Sequence, residues 1–208
     1  MTLSGLACQL PFISSQGALA KCKDFQSDFE GEKMKRNQKG FSLIELLIVV
    51  AIILIIAAIA IPNLLRSKMA ANEASAVGSM RTMTTASVTY SSTYGNGFGP
   101  SLGAMGGKAG DTLASCDEAL LLDSVLSGGG GTTNTSTKSG YSFTYVPGKA
   151  TGNSVTGCTN QGVSTYTINA VPQSIGSTGQ RGFFTDESGV IRFTTDGSIP
   201  TVASPALQ

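Results

Sequence analysis

The chain has 208 residues, a formal net charge of +1 and only 13% charged residues. This length fits one ordinary domain with its own core, and the near-neutral charge provides no basic field to attract nucleic acid or anionic lipid. Histidine is absent, which excludes an imidazole base, a serine–histidine triad and a histidine-ligated metal. With 26 glycines and a second half rich in serine and threonine, the composition predicts a loop-rich β domain outside the cytoplasm, without a cofactor and not an enzyme.

The first forty residues show no periodicity that indicates a helix or a strand. At Met34 the sequence changes to a short basic run that ends at Gly40, directly before a long apolar stretch. Residues 34–40 have the form of a complete leader peptide, so we expect translation to begin at Met34 and residues 1–33 to be a misassigned start. Residues 1–40 are therefore predicted to be removed.

Residues 41–62 are predicted to form a membrane-spanning helix. An uninterrupted apolar run occupies residues 46–61, and with the residues from Phe41 onward it gives a helix roughly 30 Å long, about the hydrocarbon thickness of a bilayer. An ordinary secretory signal would have a small-residue cleavage site after the apolar region, whereas here Pro62 leads into more helix. We therefore expect this segment to be retained in the mature chain.

The motif Gly40-Phe41-Ser42-Leu43-Ile44-Glu45, followed by the apolar run and Pro62, resembles the N terminus of type IV pilins and of type II secretion pseudopilins. The resemblance implies cleavage between Gly40 and Phe41 by a prepilin peptidase on the cytoplasmic side, and N-methylation of Phe41. It also implies a single-pass inner-membrane protein with a cytoplasmic N terminus. The chain would later enter an extracellular pilus or a periplasmic pseudopilus.

Glu45 would be the fifth residue of the mature chain, and it interrupts an apolar face, where a charge near the bilayer centre costs about 2.5–3.5 kcal/mol. One interpretation is a capping box with Ser42. The other is that the amine created at Phe41, in the same or a neighbouring subunit, pairs with Glu45 and sets the register of subunits in a filament. Pro62 predicts a kink or local loosening, or it marks the membrane exit.

The helix is predicted to continue from residue 63 to about Thr93 and to end at the glycines that begin at Gly95. In this amphipathic half, residues 63–94, one set of side chains recurs at helical spacing: Ala76, Met80, Met83, Tyr90 and Tyr94. This stripe predicts the face on which the sheet of the head domain lies.

Residues 95–208 are predicted to form a β-rich head. Residues 111–126 have helical apolar spacing, with Asp111 as N-cap and the glycines at 128–131 as the stop, and a surface loop is expected up to Ser139. Strand patterns occur at 141–146, 164–171, 182–185 and 190–194, the last two joined by a hairpin turn, with an irregular tail from 198. The fold class is therefore α+β, pilin-like, with a long N-terminal helix packed against a small antiparallel β-sheet.

Removal of the leader leaves two cysteines, Cys116 and Cys158, an even pair in an oxidising compartment. We expect them to form a disulfide, with two buried small side chains as the alternative. The resemblance also raises a calcium site, but the helix–loop–helix calcium pattern is missing. Solvated carboxylates remain the simpler interpretation of the acidic residues, which are Asp111, Asp117, Glu118, Asp123, Asp186 and Glu187.

Three functions follow from these patterns. The first is a structural subunit of a type IV pilus-like helical filament, whose partners would be copies of itself, the prepilin peptidase, an assembly platform and, before assembly, the inner membrane. The second is a pseudopilin of a type II secretion system. The third is a periplasmic binding module that uses its helix only as a membrane tether, and it would make the leader and Glu45 coincidences.

Overall fold

The computed structural model describes residues 40–153 and 155–207. The chain divides into two units, residues 1–42 and 43–208, and the architecture below is that of the second. The expected leader up to Lys39 and the expected start at Met34 lie outside the described residues.

A single helix, α1, spans Leu43–Tyr94 and contains 52 residues. It ends at Gly95, whose φ of 66° is left-handed and whose amide donates to the carbonyl of Ser91 at 3.0 Å. The predicted long helix is therefore confirmed, and it continues through Pro62 without interruption.

The predicted stripe on α1 faces the core. Ala76, Met80, Met83 and Tyr90 are fully buried, and Tyr94 is partly buried against the same cluster. Because these positions are three, four or seven residues apart, they lie on one side of the helix and leave the other side exposed. The second half of α1 thus packs against the sheet as part of the head, whereas the first half contributes no buried residue to it.

Five antiparallel strands form one sheet in the order β1-β2-β3-β4-β5. Their bounds are Thr135–Lys138, Tyr141–Pro147, Tyr166–Pro172, Gly182–Asp186 and Arg192–Thr194. The predicted meander on one face of the helix is confirmed for β2 to β5. Aromatic and apolar side chains on the inner face are buried against the α1 stripe: Tyr141, Phe143, Tyr145, Tyr166, Ile168, Ala170 and Phe183.

Strand β1 corrects the prediction of a surface loop up to Ser139. Its sequence, Thr-Ser-Thr-Lys, contains no apolar residue, so it lacks the alternation that marks a half-buried strand. Pairing with β2 through a tight turn at Ser139 and Gly140, both with positive φ, creates the strand. Tertiary pairing and not local pattern decides this element.

The predicted helix at residues 111–126 is wrong. This segment is irregular, and the short helix α2 lies earlier, at Leu102–Met105, capped by the Ser101 hydroxyl, which accepts from Ala104 N. The amides of Ala119 and Leu121 donate to the carbonyls of Ala104 and Met105, both at 2.8 Å, so they are unavailable for a local helix. The predicted N-cap, Asp111, instead accepts from the amide of Lys108 at 2.7 Å.

Candidate functional site

The N-terminal end of the described chain is open to solvent. Gly40 has nothing within 4 Å of the position that a Cβ would occupy, and Phe41 is 79% exposed. Both residues precede α1, so they are in non-helical backbone. The two residues on either side of the predicted cleavage bond are therefore exposed in non-helical backbone.

The first half of α1 exposes an apolar surface on every side. Its large hydrophobic residues from Leu43 to Leu65 are 43% to 75% exposed. The helix is long and apolar enough to cross a membrane, and none of its most apolar window is buried within the chain. A surface this large and apolar is not stable in water, so it requires a lipid or protein environment. We call this segment, residues 43–65, the stem.

Glu45 lies in the first turn of the stem among these exposed apolar side chains. Within the described residues it takes part in none of the ion pairs. A carboxylate in the first turn is favoured by the helix dipole, but this provides only about 0.3–1 kcal/mol. Glu45 is therefore a charge that lacks an ionic partner in the described part of the chain.

Cys116 and Cys158 are bonded as a disulfide, with their Cα atoms 5.5 Å apart. Cys116 is buried beside α1, where the Tyr90 hydroxyl donates to its carbonyl at 2.7 Å. Cys158 belongs to the loop between β2 and β3. The bond therefore joins the irregular segment that follows α2 to this loop. The sequence predicted that Cys116 would lie in a helix, at residues 111–126, and it does not.

Glu73 is a buried charged residue that joins α1 to the sheet and that the sequence interpretation missed. It is 7% exposed on α1, and its Oε1 accepts from the amides of Gln180 and Arg181 at 2.9 and 3.2 Å. Its Oε2 accepts from Arg181 Nε at 2.7 Å. Although burial alone raises the pKa of Glu73, these hydrogen bonds outweigh it and hold the pKa below its ordinary value. The signal was present, because Glu73 lies three residues before Ala76 on the same helical stripe.

Five of the six acidic residues considered for calcium make other contacts, among them Asp111, described above. Asp117 accepts from Thr159 and Asn160, Asp123 accepts from the amide of Leu126 and contacts Lys138 at 3.3 Å, and Asp186 accepts within its own hairpin turn. Glu118 contacts Lys108 at 3.7 Å. In residues 40–153 and 155–207 no three histidine, cysteine, aspartate or glutamate residues come together in a way that could hold a metal.

Comparison with known proteins concerns the N-terminal segment. The prokaryotic N-terminal methylation motif matches residues 35–61. Over 38 residues the chain is 66% identical to the type IV wide pilus major component PilA4 of Thermus thermophilus. These short matches show that the N-terminal segment is similar to that of type IV pilin-family proteins. The match covers 18% of this chain and 29% of PilA4, and no solved structure matches the chain significantly.

The head is not part of the segment that matches the methylation motif, so its fold is described from its structure alone. The motif match includes Gly40, Phe41 and Glu45. The head that begins at Gly95 lies beyond the methylation motif. Its architecture, a meander packed on the C-terminal half of the long helix, is the α+β fold expected for a pilin.

Proposed function

We propose that the chain is a structural subunit of a type IV pilus-like filament. The observation that carries the proposal is an entirely exposed apolar stem, most of which lies within the matched methylation motif at residues 35–61, in a chain that is similar over 38 residues to a pilus major component. A prepilin peptidase cleaves between Gly40 and Phe41 on the cytoplasmic side, and Phe41 is N-methylated. The stem holds the subunit in the inner membrane until an assembly platform adds it to the filament.

In the filament, the stem is buried against the stems of neighbouring copies, which replaces lipid contacts by protein contacts. Glu45 then pairs with the amine at Phe41 of its own or a neighbouring subunit, and this pair sets the axial position of each subunit because a misplaced charge stays unpaired in an apolar surrounding. Loosening of α1 at Pro62 helps the stems to pack. The head coats the fibre.

Substitutions at Gly40 and at Glu45 distinguish cleavage of the precursor from assembly of the filament. Gly40→Ala should leave an uncleaved precursor in the inner membrane, detected as an intact mass that includes the leader. Glu45→Ala should permit cleavage but reduce filament yield at least about tenfold, because the register pair is lost. Glu45→Asp retains the charge and is the control, with partial recovery of filaments. Normal fibres from both Gly40→Ala and Glu45→Ala would refute the proposal.

The cellular fraction in which the chain is found distinguishes a pilus subunit, a pseudopilin and a tethered binding module. Abundant head peptides in filaments sheared from the cell surface support the pilus. Retention of the cleaved chain in the envelope, together with a secretion defect after deletion, would instead identify a type II pseudopilin. An uncleaved, monomeric chain in the inner membrane would identify a tethered binding module.

A further inference from the structure

The disulfide is accompanied by a second, non-covalent connection one residue further along both segments. Asp117 follows Cys116, and Thr159 and Asn160 follow Cys158. The Asp117 carboxylate accepts from Thr159 N at 2.9 Å with Oδ2, and from Asn160 N and Nδ2, both at 3.1 Å, with Oδ1. Both carboxylate oxygens are therefore used to hold the segment that carries Cys158.

Apart from the disulfide, the Asp117 carboxylate accepts the hydrogen bonds that connect the tip of the β2–β3 loop to the rest of the head. The base of the loop is closed by backbone hydrogen bonds, among them Thr151 N to Gly162 O at 2.9 Å and Ser164 N to Lys149 O at 2.9 Å. In the described part of the tip, residues 152–153 and 155–161, the hydrogen-bond donors that reach outside the loop all end on Asp117. Without Asp117, the Cys116 and Cys158 thiols would have to meet while the loop tip is held by hydrogen bonds only at its base.

The other side of the contact is already fixed by α1. The hydroxyl of Tyr90 donates to the Cys116 carbonyl at 2.7 Å, and that of Tyr94 donates to the Ser115 carbonyl at 2.9 Å. Cys116 is thus positioned independently of its disulfide partner. The position of Cys158 alone depends on whether the loop tip is docked.

We propose that Asp117 is a positioning residue for disulfide formation, which docks the loop tip and holds the two thiols together before they are oxidised. In the covalent step, a small disulfide oxidant such as oxidised glutathione accepts two electrons and is released as two thiols. Cys116 and Cys158 lose their two thiol protons, and one sulfur–sulfur bond forms between them through a mixed disulfide. Asp117 raises the effective concentration of one thiol at the other and is itself unchanged.

Equilibration with glutathione measures this effective concentration. The experiment uses the full chain in detergent micelles, with Cys8→Ser and Cys22→Ser so that the pair alone reacts, followed by alkylation and intact-mass analysis. Asp117→Asn keeps the shape but replaces one acceptor oxygen by a donor, so the effective concentration should fall about tenfold. Glu118→Gln changes the adjacent carboxylate, which contacts Lys108 and not the loop, and should leave the value unchanged.

A second measurement tests whether Asp117 docks the loop tip when the disulfide is absent. In a chain with Cys116→Ser and Cys158→Ser, the amides of Thr159 and Asn160 should exchange with deuterium more slowly than the exposed amide of Gly152, because Asp117 still accepts from them. Adding Asp117→Asn should remove this protection. Exchange of Thr159 and Asn160 as fast as Gly152 in the disulfide-free chain, or an effective concentration equal in Asp117→Asn and Glu118→Gln, would overturn the proposal. Neither readout depends on filament assembly, so either can fail while the proposed function stands.

Discussion

At the scale of single residues, Glu73 and Arg181 connect helix and sheet across a sequence separation of 108 residues. The Arg181 guanidinium also lies 5.6 and 5.7 Å from the ring centres of Phe183 and Phe193. A guanidinium placed between two aromatic rings and a carboxylate has little freedom, so the ion pair loses less side-chain entropy than an isolated surface pair. Because Glu73 also satisfies two backbone amides, its loss would leave three buried or half-buried donors without an acceptor.

Glu73→Gln should lower the free energy of unfolding by about 2 kcal/mol, because the amide places a donor opposite Arg181 and removes the charge. The lowered folded-state pKa means that the Glu73 contribution is complete above the unfolded-state pKa, about 4.3, and is lost as the pH falls through the folded-state value. The stability difference between wild type and variant, measured by urea unfolding, should therefore narrow in acid.

Glu118→Gln is the control for this prediction, since its ion pair with Lys108 is long, at 3.7 Å, and largely exposed. It should change stability by less than about 0.5 kcal/mol at neutral pH. Equal effects of the two substitutions, or a Glu73→Gln difference that does not depend on pH, would contradict the role assigned to Glu73.

At the scale of elements, the two halves of α1 differ in their surroundings. The stem is exposed and apolar, whereas from Glu73 onward one face is buried under the sheet. On the exposed side of this second half, the threonine hydroxyls donate to the carbonyls of their own helix, as Thr82 does to Gly78 and Thr89 to Thr85. Helix propensity decides the effect of a substitution at an exposed helical position such as Gly78 in α1, whereas packing decides it in the buried helix α2, so alanine should have opposite effects on stability at the two kinds of position.

Gly78→Ala and Gly103→Ala test this at two helical glycines. A Cβ at Gly78 would meet nothing within 4 Å, so alanine should stabilise α1 by about 1 kcal/mol through its higher helix propensity. A Cβ at Gly103 in α2 would lie 2.3 Å from the Gly131 carbonyl oxygen, so alanine there should destabilise by about 1–3 kcal/mol. Urea unfolding measures both, and shifts of the same sign would show that one of these surroundings is wrong.

At the scale of the whole molecule, the head does not use the stem for its own folding. The side-chain hydrogen bonds of α1 with the head begin at Asn72, which donates from Nδ2 to the Thr178 carbonyl at 2.8 Å, and continue with Glu73 and with Ser75, whose hydroxyl lies 2.9 Å from that of Ser139. The buried residues of α1 likewise begin at Glu73. The proposed transfer of the stem from the membrane to a filament therefore requires no change in the head.

A truncated variant that begins at Ser67 should therefore fold and remain soluble without detergent. It keeps every residue of α1 that contacts the head, together with the Cys116–Cys158 disulfide. Circular dichroism and urea unfolding provide the measurement. A variant that begins at Ser79 is the control; it lacks Asn72, Glu73 and Ala76 and should unfold at a clearly lower urea concentration. Aggregation or loss of structure in the Ser67 variant would show that the stem belongs to the folding unit.

Local pattern predicts the parts of this protein whose signals are short-range. The apolar run of α1, its buried stripe and the alternation of β2 and β3 depend on residues two to four positions apart, and these predictions are confirmed. The motif around Gly40 and Glu45 is equally local. The cleavage, methylation and pairing that it implies remain predictions, because they need partners outside this chain.

The amino-acid pattern alone is enough to predict a long apolar helix that carries a pilin-type N terminus and is followed by a β-rich head. That residues 111–126 are irregular follows only from the folded chain, because the amides of residues 119–122 donate to carbonyls of residues 104–106. The tertiary structure likewise decided that Thr135–Lys138 is a strand and that Glu73 receives Arg181. The physical reason is the same in each case: the hydrogen-bond partner that decides the structure lies outside the segment, so the pattern within the segment carries no periodic trace of it.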